Sequence, residues 1–115
     1  MKAVVYRQIR EMPEIAEVPD EVRVRLTGDL NGRADETLAD AYRQVAALGP
    51  RRVSLDFGHV GYINSTGIAL VVRLLAEARR DGRLVRAIGL SEHYREIFRT
   101  TRLSDFMEIV EGDAA

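Results

Sequence analysis

Two hydrophobic periodicities alternate along this chain, and their order constrains the fold more than any other feature. Apolar residues recur at every second position in short segments, which predicts strands, and at every third or fourth position in longer ones, which predicts amphipathic helices. Strands that alternate with helices after an initial hairpin predict a largely parallel sheet built by right-handed crossovers. Strands are predicted at residues 14–18, 22–27, 51–57, 83–90 and 106–110, and helices begin near Asp35, at Thr66 and after Ser91.

The pattern within these elements predicts which face of the sheet is covered. Strand 22–27 has valine and leucine at alternate positions, and arginine and threonine between them, so one side of the sheet near it is expected to face water. The fold class is therefore predicted as α/β, a mixed and mostly parallel sheet with helices mainly on one face. The helix from Thr66 to Asp81 is predicted to bury Ile68, Val71, Val72, Leu75 and Ala78, and the last helix Tyr94, Ile97 and Phe98.

The length of 115 residues fits one domain, predicted over 1–115. Residues 58–61, with two glycines, are predicted as a loop. Residues 1–13 fit either an extra strand or an interaction arm, and residues 111–115 are predicted as a polar tail.

Composition excludes several classes of function. The net charge of -1 does not suggest a nucleic-acid surface, and no apolar run is long enough to insert into a membrane, so a cytoplasmic protein is predicted. The chain has no cysteine and two histidines, which excludes thiol chemistry and leaves little for a metal site.

Catalytic motifs are also missing. The sequence has no GxxxxGK[ST], GxGxxG or HExxH pattern. A triad of Ser65, His59 or His93, and Asp56 can be assembled, but nothing in its spacing supports it. A phospho-acceptor role for Asp56 would need a nearby lysine, and Lys2 is the only one. The sequence therefore predicts no catalytic residue and no cofactor, and the protein is predicted not to be an enzyme.

A strongly apolar helix is predicted directly after the segment Tyr62-Ile63-Asn64-Ser65-Thr66-Gly67. Asn64, Ser65 and Thr66 are all helix-capping types, and a capped helix start is the simplest interpretation. The functional interpretation is a hydroxyl that accepts a phosphate where free backbone N–H groups and the helix dipole favour an anion.

From these residues the sequence resembles the anti-sigma factor antagonists of the STAS domain class, which is named for sulfate transporters and anti-sigma antagonists. The resemblance rests on VRVRLTGDLN (22–31) and RRVSLDFGHVGYINSTGIALVVRLLAEARRDG (51–82), and it extends over about residues 14–110. It implies a STAS-like fold and a partner switch. The unmodified antagonist binds an anti-sigma factor with GHKL-type serine kinase activity, this kinase phosphorylates a serine, and a serine phosphatase reverses the reaction.

Carried onto this chain, the resemblance makes Ser65 the phospho-acceptor and Thr66 a secondary candidate. The docking surface would lie in the segments 28–33 and 59–67 and along the exposed part of the following helix. Its partner-binding residues would be Asp29, Asn31, Tyr62, Asn64, Ser65, Thr66 and Gly67. The sequence leaves open whether the chain forms a homodimer.

The sequence departs from the family pattern at two positions. Asn64 and Asn31 stand where the family often has an acid, and each removes a negative charge near Ser65. Two alternatives within the same fold therefore stay open. One is a non-phosphorylated accessory subunit of a lipid-transport ATPase complex, and the other is a component of a stressosome-type scaffold.

Overall fold

A computed structural model describes residues 1–7 and 21–111 of the chain. Five strands form one sheet in the order β1-β2-β3-β4-β5, in which β1 runs antiparallel to β2 and the other neighbours are parallel. The strands are β1 Lys2–Arg7, β2 Glu21–Leu30, β3 Arg52–Ile63, β4 Leu84–Ile88 and β5 Glu108–Ile109. The helices are α1 Asp35–Leu48, α2 Ser65–Arg80 and α3 Glu92–Thr100, with short 3₁₀ turns at Gly32–Ala34 and Leu103–Asp105. The predicted fold class is confirmed.

The antiparallel partner of β2 is the start of the chain. Residues 2–7 form this strand, with Val5 opposite Val24, so they adopt the extra-strand alternative rather than the arm. The strand predicted at 14–18 lies outside the described residues.

One hydrophobic core joins the sheet to the helices. Alternate residues of the central strands, such as Val24, Leu55 and Val85, share it with Val45 of α1 and Phe98 of α3. Val71 of α2 is also in this core, but Val72 is 47% exposed, so its predicted burial is wrong. The buried stripe of α2 is Gly67, Leu70, Val71, Leu74, Leu75 and Ala78. One further residue turns the helix by about 100°, which takes Val72 out of this stripe.

Strand β3 continues through the predicted loop at 58–61. It stays paired with β2 beyond Asp56, through Thr27–His59 and Leu30–Ile63, with two shifts of register. Its pairing with β4 ends at Asp56–Ile88. The last part of β3 therefore extends with β2 as a two-stranded ribbon. Gly58 and Gly61, which suggested a turn, lie in the irregular part of this ribbon, as glycines at bulges do.

The C-terminal elements are shorter than predicted. Strand β4 ends at Ile88, before Gly89, whose φ is +74°. The last strand contains only Glu108 and Ile109, because Phe106 closes the preceding 3₁₀ turn with its N–H bonded to the Leu103 carbonyl at 3.0 Å. The predicted cap of α3 is confirmed, since the Ser91 hydroxyl accepts from the Tyr94 N–H.

No helix in the described ranges 1–7 and 21–111 is both long and apolar enough to cross a membrane.

Candidate functional site

The start of α2 is held by Asn64, which follows the end of β3. The Asn64 Oδ1 accepts a hydrogen bond from the Gly67 N–H at 2.8 Å, which satisfies one of the free N–H groups of the first turn. The Asn64 N–H donates to the Leu30 carbonyl at 3.2 Å, so the helix start is tied to the end of β2. Asn64 is therefore both the helix cap and a link to the neighbouring strand.

Ser65 is the first residue of α2, one residue earlier than the predicted start at Thr66. Because Asn64 supplies the capping oxygen, the cap does not need the hydroxyl of Ser65 or Thr66. Both residues are exposed. The first turn, Ser65-Thr66-Gly67, contains no acid, so its positive dipole end is not compensated by a side chain.

Gly67 brings α2 into close contact with β2. A Cβ atom at this position would lie 2.0 Å from the carbonyl oxygen of Leu30, which no side chain can occupy without moving the helix. Gly67 is buried. It therefore sets the distance between the helix and the strand, and with it the position of Ser65.

The segment after β2 lies beside the same helix start. The Asn31 Oδ1 accepts from the Arg33 N–H at 2.9 Å and caps the 3₁₀ turn at Gly32–Ala34. A Cβ at Gly32 would be 3.4 Å from the Thr66 methyl group, so this turn and the first turn of α2 are in contact. Asn31 is thus adjacent to the site, with its side chain bonded to its own turn.

The ribbon of β2 and β3 supplies the other predicted residues. The Asp29 carboxylate lies over Gly61, with Oδ1 3.1 Å from where a Cβ of that glycine would be. Tyr62, three residues before Ser65, is 58% exposed. The structure therefore collects most of the predicted docking residues around the start of α2, with Gly67 buried beneath them.

Two residues at this surface were missed by the sequence analysis. The Tyr94 hydroxyl, from α3, accepts the Ile63 N–H at 2.9 Å and so fixes the end of β3 just before Asn64. The exposed Val72 lies seven residues after Ser65, on the same side of α2. Ile63 and Tyr94 are 31 positions apart in the sequence, so no local pattern indicates the bond between them.

The other candidate groups, Asp56, His59 and His93, lie in different surroundings. Asp56 accepts the Gly58 N–H at 2.9 Å and lies 3.9 Å from Arg25 Nε, whereas His59 and His93 are exposed. In residues 1–7 and 21–111, His, Asp and Glu side chains form no group of three suited to a metal ion.

A perturbed titratable group lies at the other end of α2. Burial, together with the hydrogen bond that its O–H donates to Asp81 Oδ2 at 2.7 Å, raises the pKa of the Tyr42 phenol above its usual value. Arg83 donates to the same hydroxyl at 3.1 Å. This cluster connects α1 to the end of α2 and is not part of the site around Ser65.

Comparison with known families shows the family of this chain. Residues 14–111 match the family model described as "Mlab, STAS domain". The chain belongs to the STAS domain family. Its resemblance to this class, inferred from the segments 22–31 and 51–82, is confirmed.

Relatives of this STAS chain include anti-sigma factor antagonists. The anti-sigma-B factor antagonist of Staphylococcus epidermidis is 27% identical over 93 residues, which cover 81% of this chain and 86% of that protein.

Solved structures share the fold. The Bacillus protein SpoIIAA in its phosphorylated form superposes with a TM-score of 0.62 at 17% identity, over 94% of this chain and 92% of that one. An anti-sigma factor antagonist from Mycobacterium paratuberculosis superposes with a TM-score of 0.67 at 15% identity, over 96% and 87%.

Proposed function

We propose that this chain is an anti-sigma factor antagonist of the cytoplasm. In this proposal it binds an anti-sigma factor with GHKL-type serine kinase activity through the surface around Ser65, and phosphorylation of Ser65 releases that partner. A serine phosphatase restores the binding form. The chain itself needs no catalytic residue or cofactor, because the kinase supplies the chemistry.

The observation that carries this proposal is that capping, packing and the exposed hydroxyl belong to different residues at the start of α2. Asn64 provides the cap and Gly67 the packing, so Ser65 is an exposed hydroxyl with no structural task in the helix start. A phosphate on Ser65 would lie at the uncompensated positive end of the helix. The fold can therefore accept the modification without unfolding.

The size of the expected effect follows from charge. A phosphoserine adds about -1.5 to -2 charges at neutral pH. A partner carboxylate about 4 Å away would be repelled by about 4 kcal/mol per pair of unit charges at a surface-like dielectric. Since about 1.4 kcal/mol corresponds to a tenfold change in affinity, one phosphate is sufficient to break such an interface.

Phosphorylation is tested by mixing the purified chain with its cognate kinase and ATP, and locating the phosphate by mass spectrometry. We expect one phosphate on Ser65, none in Ser65→Ala, and normal uptake in Thr66→Ala, which is the matched control. If Ser65 of the unsubstituted chain takes up no phosphate, the proposed regulation by phosphorylation is wrong, even if the chain still binds the anti-sigma factor.

Binding is tested separately by calorimetry with the same anti-sigma factor. Ser65→Ala is expected to bind like the unmodified chain and Ser65→Asp to bind at least about tenfold more weakly, because the carboxylate brings a single negative charge. Equal affinity of the two variants would contradict regulation by charge at this position.

Two observations favour a second candidate. The matching family model carries the description "Mlab, STAS domain", and Asn64 and Asn31 remove two acids that the antagonists often have. In this alternative the chain is an accessory subunit of a lipid-transport ATPase complex and is not phosphorylated. Capture of a transport ATPase rather than a kinase by the tagged chain would favour it, and elution as a very large particle would instead favour a stressosome-type scaffold.

A further inference from the structure

The peptide bond between Asn31 and Gly32 lies between the end of β2 and the 3₁₀ turn beside α2. The chain has two asparagines, Asn31 and Asn64, and only Asn31 is followed by glycine. The side-chain carbonyl of an asparagine can be attacked by the backbone nitrogen of the next residue, and a glycine hinders this approach least because it has no Cβ. The pair Asn31-Gly32 is therefore a candidate for a reaction that needs no enzyme.

The nucleophile in such a reaction is the backbone nitrogen of Gly32. Gly32 is the first residue of the turn Gly32–Ala34, where an N–H has no partner within the helix. Within residues 1–7 and 21–111, this N–H makes no hydrogen bond to another backbone group. Gly32 is exposed, so hydroxide from the solvent can reach the proton that the nitrogen must lose.

The electrophile is the side-chain carbonyl carbon of Asn31, and the oxygen of this group is already held by a donor. Oδ1 accepts the Arg33 N–H at 2.9 Å. When a nitrogen adds to Cγ, negative charge develops on Oδ1, and a donor already placed at that oxygen stabilises the charge. The turn therefore activates the side-chain amide as well as presenting it.

The second asparagine has a similar conformation but is held more firmly. Both are extended, with ψ of -168° at Asn31 and -179° at Asn64, so ring closure must turn the peptide plane that follows. At Asn31 this breaks one backbone bond, from the Ala34 N–H at 3.0 Å. At Asn64 it breaks the bond from the Ile68 N–H at 2.9 Å and disturbs α2, which Gly67 packs against β2. The fold thus restrains Asn64 more than Asn31.

We propose that Asn31 is a site of spontaneous deamidation that the fold leaves reactive. The Gly32 nitrogen gives its proton to hydroxide and bonds to Cγ of Asn31. The Cγ–Nδ2 bond then breaks, and Nδ2 takes a proton from water and leaves as ammonia. A water molecule opens the resulting cyclic imide. Opening at the bond from Cγ to the Gly32 nitrogen gives aspartate, and opening at the bond from the main-chain carbonyl carbon gives isoaspartate.

Either product places a carboxylate beside the start of α2. One added negative charge changes the net charge of the chain from -1 to -2. Aspartate keeps the cap of the 3₁₀ turn, because it caps as well as asparagine. Isoaspartate lengthens the main chain by one methylene and displaces the turn from the Thr66 methyl group, which lies against Gly32. The inference does not depend on the proposed function, although the new charge would lie on the surface assigned to the partner.

The test is incubation of the purified full chain at mildly alkaline pH in water enriched in heavy oxygen. Peptide mass spectrometry then measures, at each asparagine, the replacement of the side-chain NH₂ by labelled OH. We expect Asn31 to react within about tenfold of its rate in the denaturant-unfolded chain, because about one net hydrogen bond must break. Asn64 is the control in the same molecule, and we expect the fold to slow it at least about tenfold more than Asn31.

Two variants separate the roles of the neighbouring residues. Gly32→Ala is expected to slow the reaction about tenfold or more, because the added Cβ hinders the approach of the nitrogen to Cγ. This Cβ would lie 3.4 Å from the Thr66 methyl, an ordinary contact, so the variant should melt like the unsubstituted chain. Arg33→Ala keeps the N–H that Oδ1 accepts and is the matched control, with an unchanged rate expected.

Three outcomes would overturn the inference. They are the absence of label at Asn31 in the folded chain, equal protection of Asn31 and Asn64 by the fold, and an unchanged rate in Gly32→Ala. The comparison of folded and unfolded chain needs no substitution, so it decides the question even if Gly32→Ala does not fold. Asn31→Asp provides the authentic aspartate product for chromatography, and the isoaspartate product is expected to elute apart from it.

Discussion

The starts of α1 and α2 face the same end of the molecule but are built in opposite ways. Helix α1 follows a 3₁₀ turn, has Ala34 as an N-cap without a side-chain bond, and carries Asp35 and Glu36 in its first turn. Helix α2 has the Asn64 cap and the Gly67 contact, but no acid in its first turn. The start of α1 is electrostatically compensated and has no side-chain cap, whereas the start of α2 is capped, packed against β2 and has no acid of its own. A fixed helix start with a free dipole is where an added anion changes the surface without changing the fold.

The largest expected effect concerns the firm attachment of α2. Gly67→Ala places a Cβ 2.0 Å from the Leu30 carbonyl oxygen, and we expect it to lower the free energy of unfolding by at least about 3 kcal/mol, because α2 must move away from β2. Denaturant unfolding measures this loss.

The matched variant is Thr37→Ala, the third residue of α1 as Gly67 is of α2. The Thr37 hydroxyl makes one long bond, 3.5 Å from the Met1 carbonyl, so a loss of at most about 1 kcal/mol is expected. Similar losses in the two variants would mean that the helix starts are not fixed to different degrees.

A smaller effect is expected from the cap. Asn64→Ala removes the oxygen that accepts the Gly67 N–H, and should destabilise the chain by about 1 kcal/mol in the same denaturant measurement. Asn64→Asp keeps a capping oxygen and should be at least as stable as the unmodified chain. If Asn64→Ala unfolds at the same denaturant concentration as the unmodified chain, α2 is no better fixed by its cap than α1 is without one.

The smallest expected effect tests how charged side chains interact with the dipoles of α1 and α2 at their first turns. Ser65→Asp adds a charge to the uncompensated start and should stabilise the chain by about 0.3–1 kcal/mol, whereas Glu36→Gln should destabilise it by a similar amount. The shift of melting temperature in each variant should become smaller at high salt concentration. Ser65→Asn is the uncharged control, and an equal gain in that variant would assign the effect to hydrogen bonding instead of charge.

Local patterns were sufficient for the order of the helices and of the strands from β2 onwards. The caps at Asn64 and Ser91 and the end of α1 at Gly49 depend on near neighbours along the chain, and sequence carries that information. Asn64, Ser65 and Thr66 were all candidates for the cap, and only the bond to the Gly67 N–H distinguishes them.

Long-range packing explains what local patterns could not predict. Gly58 and Gly61 suggest a turn in isolation, but pairing with β2 keeps this segment extended. Val72 looks like a core residue by composition, and only the way α2 lies on the sheet exposes it. The predicted docking surface thus lacked Val72 and the supporting contact from Tyr94.

The bond between the Tyr94 hydroxyl and the Ile63 N–H links the end of β3 to a helix formed much later along the chain. When the first two thirds of this chain have been synthesised, Ser65 is present but Tyr94 is not. Truncated products that end before Tyr94 lack the contact that sets the serine in place. The position of the helix start that carries Ser65 is therefore expected to become fully fixed only after α3 has been synthesised and has packed against the end of β3.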